Sequence, residues 1–148
     1  MRFLCDQMLG TLATWLRILG YDAAYARDVD DAALLRQAAS EQRRLLTRDK
    51  ELASRNDDAI LIESTDLEEQ LRRVIEATGM NLSREAMLSR CTVCNTPVCT
   101  VEKAAVAGEV PEHAYEQREE FWRCPSCGRI YWKGTHWDNM QDFIQRLR

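Results

Sequence analysis

Two cysteine pairs of identical spacing, Cys91-Thr92-Val93-Cys94 and Cys124-Pro125-Ser126-Cys127, carry the sharpest chemical signal in the 148 residues. A two-residue gap lets both thiolates of one turn reach a single ion, and two such turns complete the tetrahedron that zinc prefers. The pairs therefore predict one structural Zn2+ held by Cys91, Cys94, Cys124 and Cys127. A 29-residue insert separates them, longer than common ribbon spacings, and a long hairpin loop would take it up. Gly128 suits the tight turn behind the second pair. A dithiol oxidoreductase would need a pair opening a helix within a strand–helix unit, and neither pair does so. Cys5 and Cys99 are left over and read as a core residue and a peripheral thiol. His113 and His136 read as surface or packing residues.

Three aspartates, Asp6, Asp31 and Asp49, form the second signal. Magnesium and manganese want hard oxygen ligands and keep several waters, so two or three converging carboxylates suffice to hold them. Such ions serve phosphodiester cleavage by activating a water and stabilising the leaving oxygen. Each aspartate also has a plainer explanation: Asp31 and Asp49 as helix N-caps, Asp6 as the end of a strand. Arg17, Arg48 and Lys50 carry charges that would meet phosphates near these carboxylates, Arg48 being wedged between Thr47 and Asp49. Further on, Arg129, Tyr131, Trp132, Lys133, His136 and Trp137 interleave base and aromatic, as grips on single-stranded nucleic acid do. The same aromatics would also serve as packing for a small ribbon, and packing is the favoured reading for them.

The elements that must position these residues follow from periodicity. Phe3-Leu4-Cys5 is a short apolar strand ending at Asp6. Leu9, Leu12, Trp15, Leu16 and Leu19 recur at helical spacing before a stop at Gly20. Ala23 to Tyr25, Arg44 to Thr47 and Ala59 to Ile62 read as further strands. Between and after them lie helices capped at Asp31, opened by Arg48-Asp49-Lys50, and begun by a Thr65–Glu68 capping box. Strand and helix alternate four times, which predicts a parallel sheet flanked by helices with right-handed crossovers. Ligands of such sheets collect beyond the C-terminal strand ends. Asp6 and Asp49 sit at such ends, and Asp31 lies just past the second strand on the same edge. From Cys91 the character changes to cysteines, prolines and Trp-rich strands. The expected boundary is near residue 86, with an α/β domain over 1–86, able to act as a separate unit, and a zinc ribbon with a C-terminal helix over 87–148. A short helix is expected after Ser83.

Apolar residues make up 45% and charged residues 30%, a globular mixture. No apolar run approaches the ~18 residues that span a bilayer, and Met1-Arg2-Phe3-Leu4-Cys5-Asp6 offers no signal-peptide core. The expectation is a cytoplasmic protein without membrane attachment, whose cysteines bind metal or stay free rather than form disulfides. A net charge of −4 argues against a surface coated in DNA-binding charge. Residues 123–148 nevertheless carry five Arg or Lys against two Asp, a locally basic stretch.

The run Asp6-Gln7-Met8-Leu9-Gly10-Thr11-Leu12-Ala13-Thr14-Trp15-Leu16-Arg17-Ile18-Leu19-Gly20-Tyr21-Asp22 resembles the opening of the Mut-seven C-terminal RNase family. Asp31-Ala32-Ala33-Leu34, Leu45-Leu46-Thr47-Arg48-Asp49 and the stretch from Cys124 to Trp137 agree with it in order. The resemblance implies a PIN-like nuclease domain with an attached zinc ribbon, and a metal-dependent ribonuclease activity. Asp6, Asp31 and Asp49 then correspond to the acidic ligands of Mg2+ or Mn2+, and Thr47 to the hydroxyl residue beside the third acid. PIN nucleases often place Glu second and add a fourth acid. Here the second position is Asp31, with Asp30 adjacent, and Asp66 is a candidate fourth that a helix dipole already explains. The implied partner is RNA, single-stranded, with Arg17, Arg48, Arg129 and Lys133 as substrate contacts. Two other readings stand beside this one: a non-catalytic module whose ribbon grips RNA or protein, and a toxin-like nuclease controlled by a partner chain.

Overall fold

In the computed structural model, which describes residues 1–148, four short parallel strands form the first sheet. Its order is β2 (Asp22–Tyr25), β1 (Arg2–Cys5), β3 (Arg44–Thr47) and β4 (Ile60–Leu61). The register pairs Leu4 with both Ala24 and Leu45, and Leu46 with Ile60. The crossovers hold α1 (Gly10–Ile18), α2 (Asp31–Ser40) and α3 (Lys50–Ser54), and α4 (Leu67–Thr78) follows β4. Successive strand side chains point to opposite faces. Phe3 and Cys5 pack with Leu12 and Leu16 of α1 and Leu71 and Val74 of α4. Leu4 and Leu45 pack on the other side with Leu34 and Ala38 of α2 and Leu52 of α3. Burial on both faces is why these strands read as continuous apolar runs rather than alternating ones.

Helix boundaries follow local chemistry, with two displacements from expectation. Gly20 ends α1 at φ +95°, and a Cβ there would lie 2.3 Å from the Ala86 carbonyl oxygen. Glycine is required at that position both by the left-handed backbone and by the close approach of the later chain. The cap of α2 is Asp30, whose carboxylate accepts from the Ala33 N–H at 2.7 Å, so Asp31 is the first helical residue rather than the cap. The cap of α4 is displaced the other way, one residue later than the predicted box: Asp66 accepts from Glu69 N–H at 3.1 Å.

Residues 84–88 form turns rather than the expected short helix. Beyond them an antiparallel sheet runs β5 (Cys99–Val101), β6 (Phe121–Arg123) and β7 (Ile130–Tyr131). The long insert is a β5–β6 hairpin whose loop contains a 3-10 turn at Lys103–Val106 and α5 (Glu112–Gln117). Val106, Val110 and Phe121 form its small core, with Tyr115 and Trp132 against them. The chain then returns to the first domain through α6 (Thr135–Leu147). Trp137, Ile144 and Leu147 are buried in the same cluster as Leu12 and Leu71, and the Trp15 and Phe143 rings lie 4.6 Å apart. The composition changes near residue 86, but the core does not divide there. No helix is long and apolar enough to cross a membrane.

Candidate functional site

Strand order 2-1-3-4 reverses the direction of winding between β1 and β3, the kind of switch point beyond whose strand ends ligands of such sheets bind. Asp6 directly follows β1 and Asp49 lies two residues past β3. Thr47, fully buried, joins them. Its hydroxyl donates to Asp6 Oδ2 at 2.9 Å and accepts from the Asp49 N–H at 3.0 Å. Asp6 Oδ1 accepts from the Gln7 N–H at 2.7 Å. Asp49 caps α3 through Oδ1, which accepts from Glu51 and Leu52 N–H at 2.9 and 3.2 Å. Each ionised carboxylate has about four acceptor sites, so both acids keep lone pairs for a further partner.

Asp31 opens α2 on the same edge of the sheet, exposed, with capping left to Asp30. Two bonds brace this loop against the one after β1: Tyr25 donates its hydroxyl to the Gln7 carbonyl, and Asp28 N–H donates to Gln7 Oε1 at 3.2 Å. The hydrogen bonds thus bring Asp6, Thr47 and Asp49 together and leave Asp31 beside them, unlinked. Arg48 crosses from β3 toward the end of β4, where Nη2 makes a long 3.4 Å contact with the Glu63 carbonyl. Its Nε is the one buried side-chain nitrogen or oxygen with no partner.

Arg17 is a correction to the expected substrate contacts. Only 8% exposed, it donates through Nε to the Ala23 carbonyl at 2.8 Å and through Nη1 to the Thr92 and Val93 carbonyls at 2.9 and 3.1 Å. These carbonyls take up Nε and Nη1 of a largely buried side chain, which leaves a phosphate little room to approach. Asn95, which sequence reasoning passed over, completes the same junction. Its Oδ1 accepts from the Ala23 N–H at 3.0 Å, and its Nδ2 donates to Asp22 Oδ1 at 2.6 Å. Arg43 reaches the same carboxylate oxygen at 2.6 Å. Burial works against the Asp22 charge, yet hydrogen bonds from Arg43 and Asn95 more than offset it and hold the carboxyl at about 2. The backbone N–H and C=O of Ala23 on the edge strand β2 are thereby both met by side chains, one of them from the cysteine turn. An Asn directly after a Cys-x-x-Cys turn was the only sequence sign of this.

The four cysteine sulfurs all lie within 4.8 Å of one another, a closeness that no other group of three or more His, Cys, Asp or Glu residues shows. Cys91 and Cys127 Sγ are 3.8 Å apart, the edge of a tetrahedron with ~2.3 Å zinc–sulfur bonds. The two turns are alike. Asn95 N–H donates to the Cys91 carbonyl and Gly128 N–H to the Cys124 carbonyl, each at 2.9 Å, with φ of +64° and +80° at the donors. Backbone N–H groups of Cys94 and Ser126 point at Cys91 and Cys124 Sγ at 3.3 and 3.4 Å. Burial disfavours a thiolate at Cys91, but bonds from the Tyr131 hydroxyl and the Cys94 and Val93 N–H groups outweigh it and bring this thiol down to about 6. The donor set fits a structural zinc ion, which such sites bind with release of protons. Cys5 is buried in the core, and burial pushes its thiol up to about 12; Cys99 is exposed.

In the ribbon, Lys133 Nζ sits over the Trp137 ring at 4.8 Å and the Trp122 ring at 5.7 Å. Arg129 is exposed on the turn after Gly128. Tyr131 is spent on Cys91 Sγ at 3.0 Å, Trp132 packs on Phe121 at 6.3 Å, and Trp137 is buried. The aromatics of the interleaved stretch therefore serve packing, as the sequence favoured. Among protein-family models, that of the Mut7-C RNAse domain matches residues 1–144. No curated protein and no solved structure matches the chain.

Proposed function

The chain belongs to the Mut7-C RNAse domain family, and from that premise we propose that it is a PIN-like, metal-dependent ribonuclease that hydrolyses RNA phosphodiesters at the C-terminal edge of the parallel sheet. The observation that carries the location is the Asp6–Thr47–Asp49 chain of hydrogen bonds at the β1/β3 switch point. Asp6, Asp31 and Asp49 would hold Mg2+ or Mn2+, hard ions suited to carboxylates with spare oxygens. Such an ion, when bound, supplies charge stabilisation at the phosphoryl group and lowers the pKa of an attacking water.

The protein's own residues have separable parts in this reading. Thr47 fixes the rotamer of Asp6 and ties it to the backbone of Asp49, so two acids move as one unit. Two N–H bonds pin one oxygen of Asp49 and leave the other without a protein hydrogen bond. Arg48, whose one hydrogen bond is the long contact from Nη2, would offer the terminal N–H groups of its guanidinium, rather than its buried Nε, to a substrate phosphate beside these acids. Arg129 and the indole-held Lys133 would hold the strand by salt-sensitive phosphate contacts.

Metal-stripped protein, with zinc kept in the ribbon, should cleave labelled single-stranded RNA only when Mn2+ or Mg2+ is added back, and Asp49→Asn should abolish that cleavage. RNA binding without cleavage under any divalent metal would instead favour a non-catalytic module. Cleavage surviving substitution of all three aspartates would refute the site.

A further inference from the structure

The two histidines meet at one cavity. His113, on α5, and His136, in the first turn of α6, line a hollow of about 190 Å3 together with Gln117, Arg118 and Thr135. Trp132 forms a wall, its ring nearly perpendicular to the His136 imidazole at 6.4 Å between centroids. The lining contains no carboxylate, although Glu112, Glu116, Glu119 and Glu120 crowd the same stretch of sequence. Glu119 is turned to Lys103 at 3.2 Å. Arg118, unlike Lys103 and Arg123 of the same ribbon, takes part in no ion pair. α6 begins beside this hollow behind Gly134, with no side-chain cap on its first N–H groups.

The chemistry of that lining selects an anion. Arg118 offers a planar set of five N–H donors, Gln117 an amide, Thr135 a hydroxyl, and each imidazole at least one N–H. A divalent cation would meet two imidazoles but also the fixed guanidinium charge, with no oxygen ligand to balance it. A phosphate has the size and the acceptor oxygens to engage donors arriving from α5, from Arg118 just beyond it, and from the start of α6. We propose that this cavity is a phosphate-binding site of the ribbon that takes a phosphate with three free oxygens: inorganic phosphate or the terminal monoester of a nucleic-acid strand. An internal phosphodiester has only two free oxygens and two bulky substituents, and would use fewer of these donors. None of the residues lining it is one of the acids at the sheet edge, so its test does not depend on cleavage there.

The test follows the histidine ring signals of the full zinc-loaded chain by NMR during titration with inorganic phosphate at constant ionic strength. Both rings should shift together and saturably, while Arg118→Ala weakens the apparent affinity by about tenfold or more, the loss expected for a charge-assisted hydrogen-bond pair. Arg118→Lys should recover part of it, which separates charge from folding. A second titration uses a 2′-O-methyl oligonucleotide with a 5′-phosphate and its 5′-hydroxyl twin. Tighter binding of the phosphorylated strand assigns the strand terminus as the source, and equal binding assigns free phosphate. Ring signals that stay still under phosphate, or that shift equally in Arg118→Ala, overturn the proposal.

Discussion

Replacing Arg17 by Ala tests the role that the structure gives this residue against the phosphate contact that sequence suggested. The substitution removes three hydrogen bonds, to Ala23, Thr92 and Val93 carbonyls, from a side chain that is 8% exposed. Bonds from a charged donor contribute about 1.5–3 kcal/mol each when both partners are desolvated. Two of the three acceptors are only part-buried and would recover water, and burial already lowers the Arg17 pKa and so disfavours its charge. A net loss of about 3 kcal/mol is therefore expected, or roughly 10 °C in melting temperature for a domain of this size. Denaturation of the zinc-loaded protein measures it. Amide exchange supplies the second readout. Arg17 does not touch the Ala23 N–H, but releasing the cysteine turn should withdraw Asn95 from it, so that amide should exchange faster in Arg17→Ala. A loss under about 1 kcal/mol, together with weakened RNA binding and unchanged exchange at Ala23, would refute the reasoning and restore the phosphate role.

Protein purified without added metal should hold about one equivalent of zinc, and Cys124→Ser should lose it along with ordered structure in the ribbon, read by elemental analysis and by proteolysis. The Asp22 carboxyl, held near 2 against an ordinary value of 3.8, adds stability that is present above about pH 4 and lost as pH falls toward 2. At ~2 kcal/mol this should show as a steeper acid limb in the wild type than in Asp22→Asn. Ending the chain before α6 should yield an unstable, aggregating protein, because Leu12, Trp15 and Leu71 lose their cover. Large-to-small changes in such cores cost about 2–5 kcal/mol each, so a soluble, cooperatively melting 1–134 fragment would contradict the packing described.

What sequence could reveal tracks how local the determining interactions are. β3 spans Arg44–Thr47 as its apolar run predicts, because strands buried on both faces declare themselves without neighbours. The cysteine quartet was equally legible, since each half is one turn with fixed spacing. The caps of α2 and α4 slipped by one residue. Asp30-Asp31 and Thr65-Asp66 each place two capping side chains in succession, and periodicity does not choose between them. Arg17 was misread for a different reason. Its carbonyl partners Thr92 and Val93 lie far along the chain, and an arginine on an amphipathic helix looks the same whether it faces solvent or a docked turn. The placement of α6 was hidden in the same way: a C-terminal helix was expected, but the surface that receives it is built from α1 and α4. At the sheet edge, the topological rule located Asp6 and Asp49. The hydroxyl bridge through Thr47 required coordinates.

Because α6 closes a core begun at Phe3, the first domain is assembled from two stretches of chain with the whole ribbon strung between them. Seen as polymer physics, the segment from Leu88 to Trp137 is a loop whose ends must be brought together before that core can form. Clasping Cys91 and Cys94 to Cys124 and Cys127 short-circuits this loop, reducing its effective length roughly fourfold and its closure entropy by about 1 kcal/mol. The metal would thus act as a staple upon the unfolded ensemble as well as a scaffold for the ribbon, and its clearest signature would be kinetic. Refolding of the sheet domain should be faster when zinc is present from the start than when it is added after the chain has collapsed.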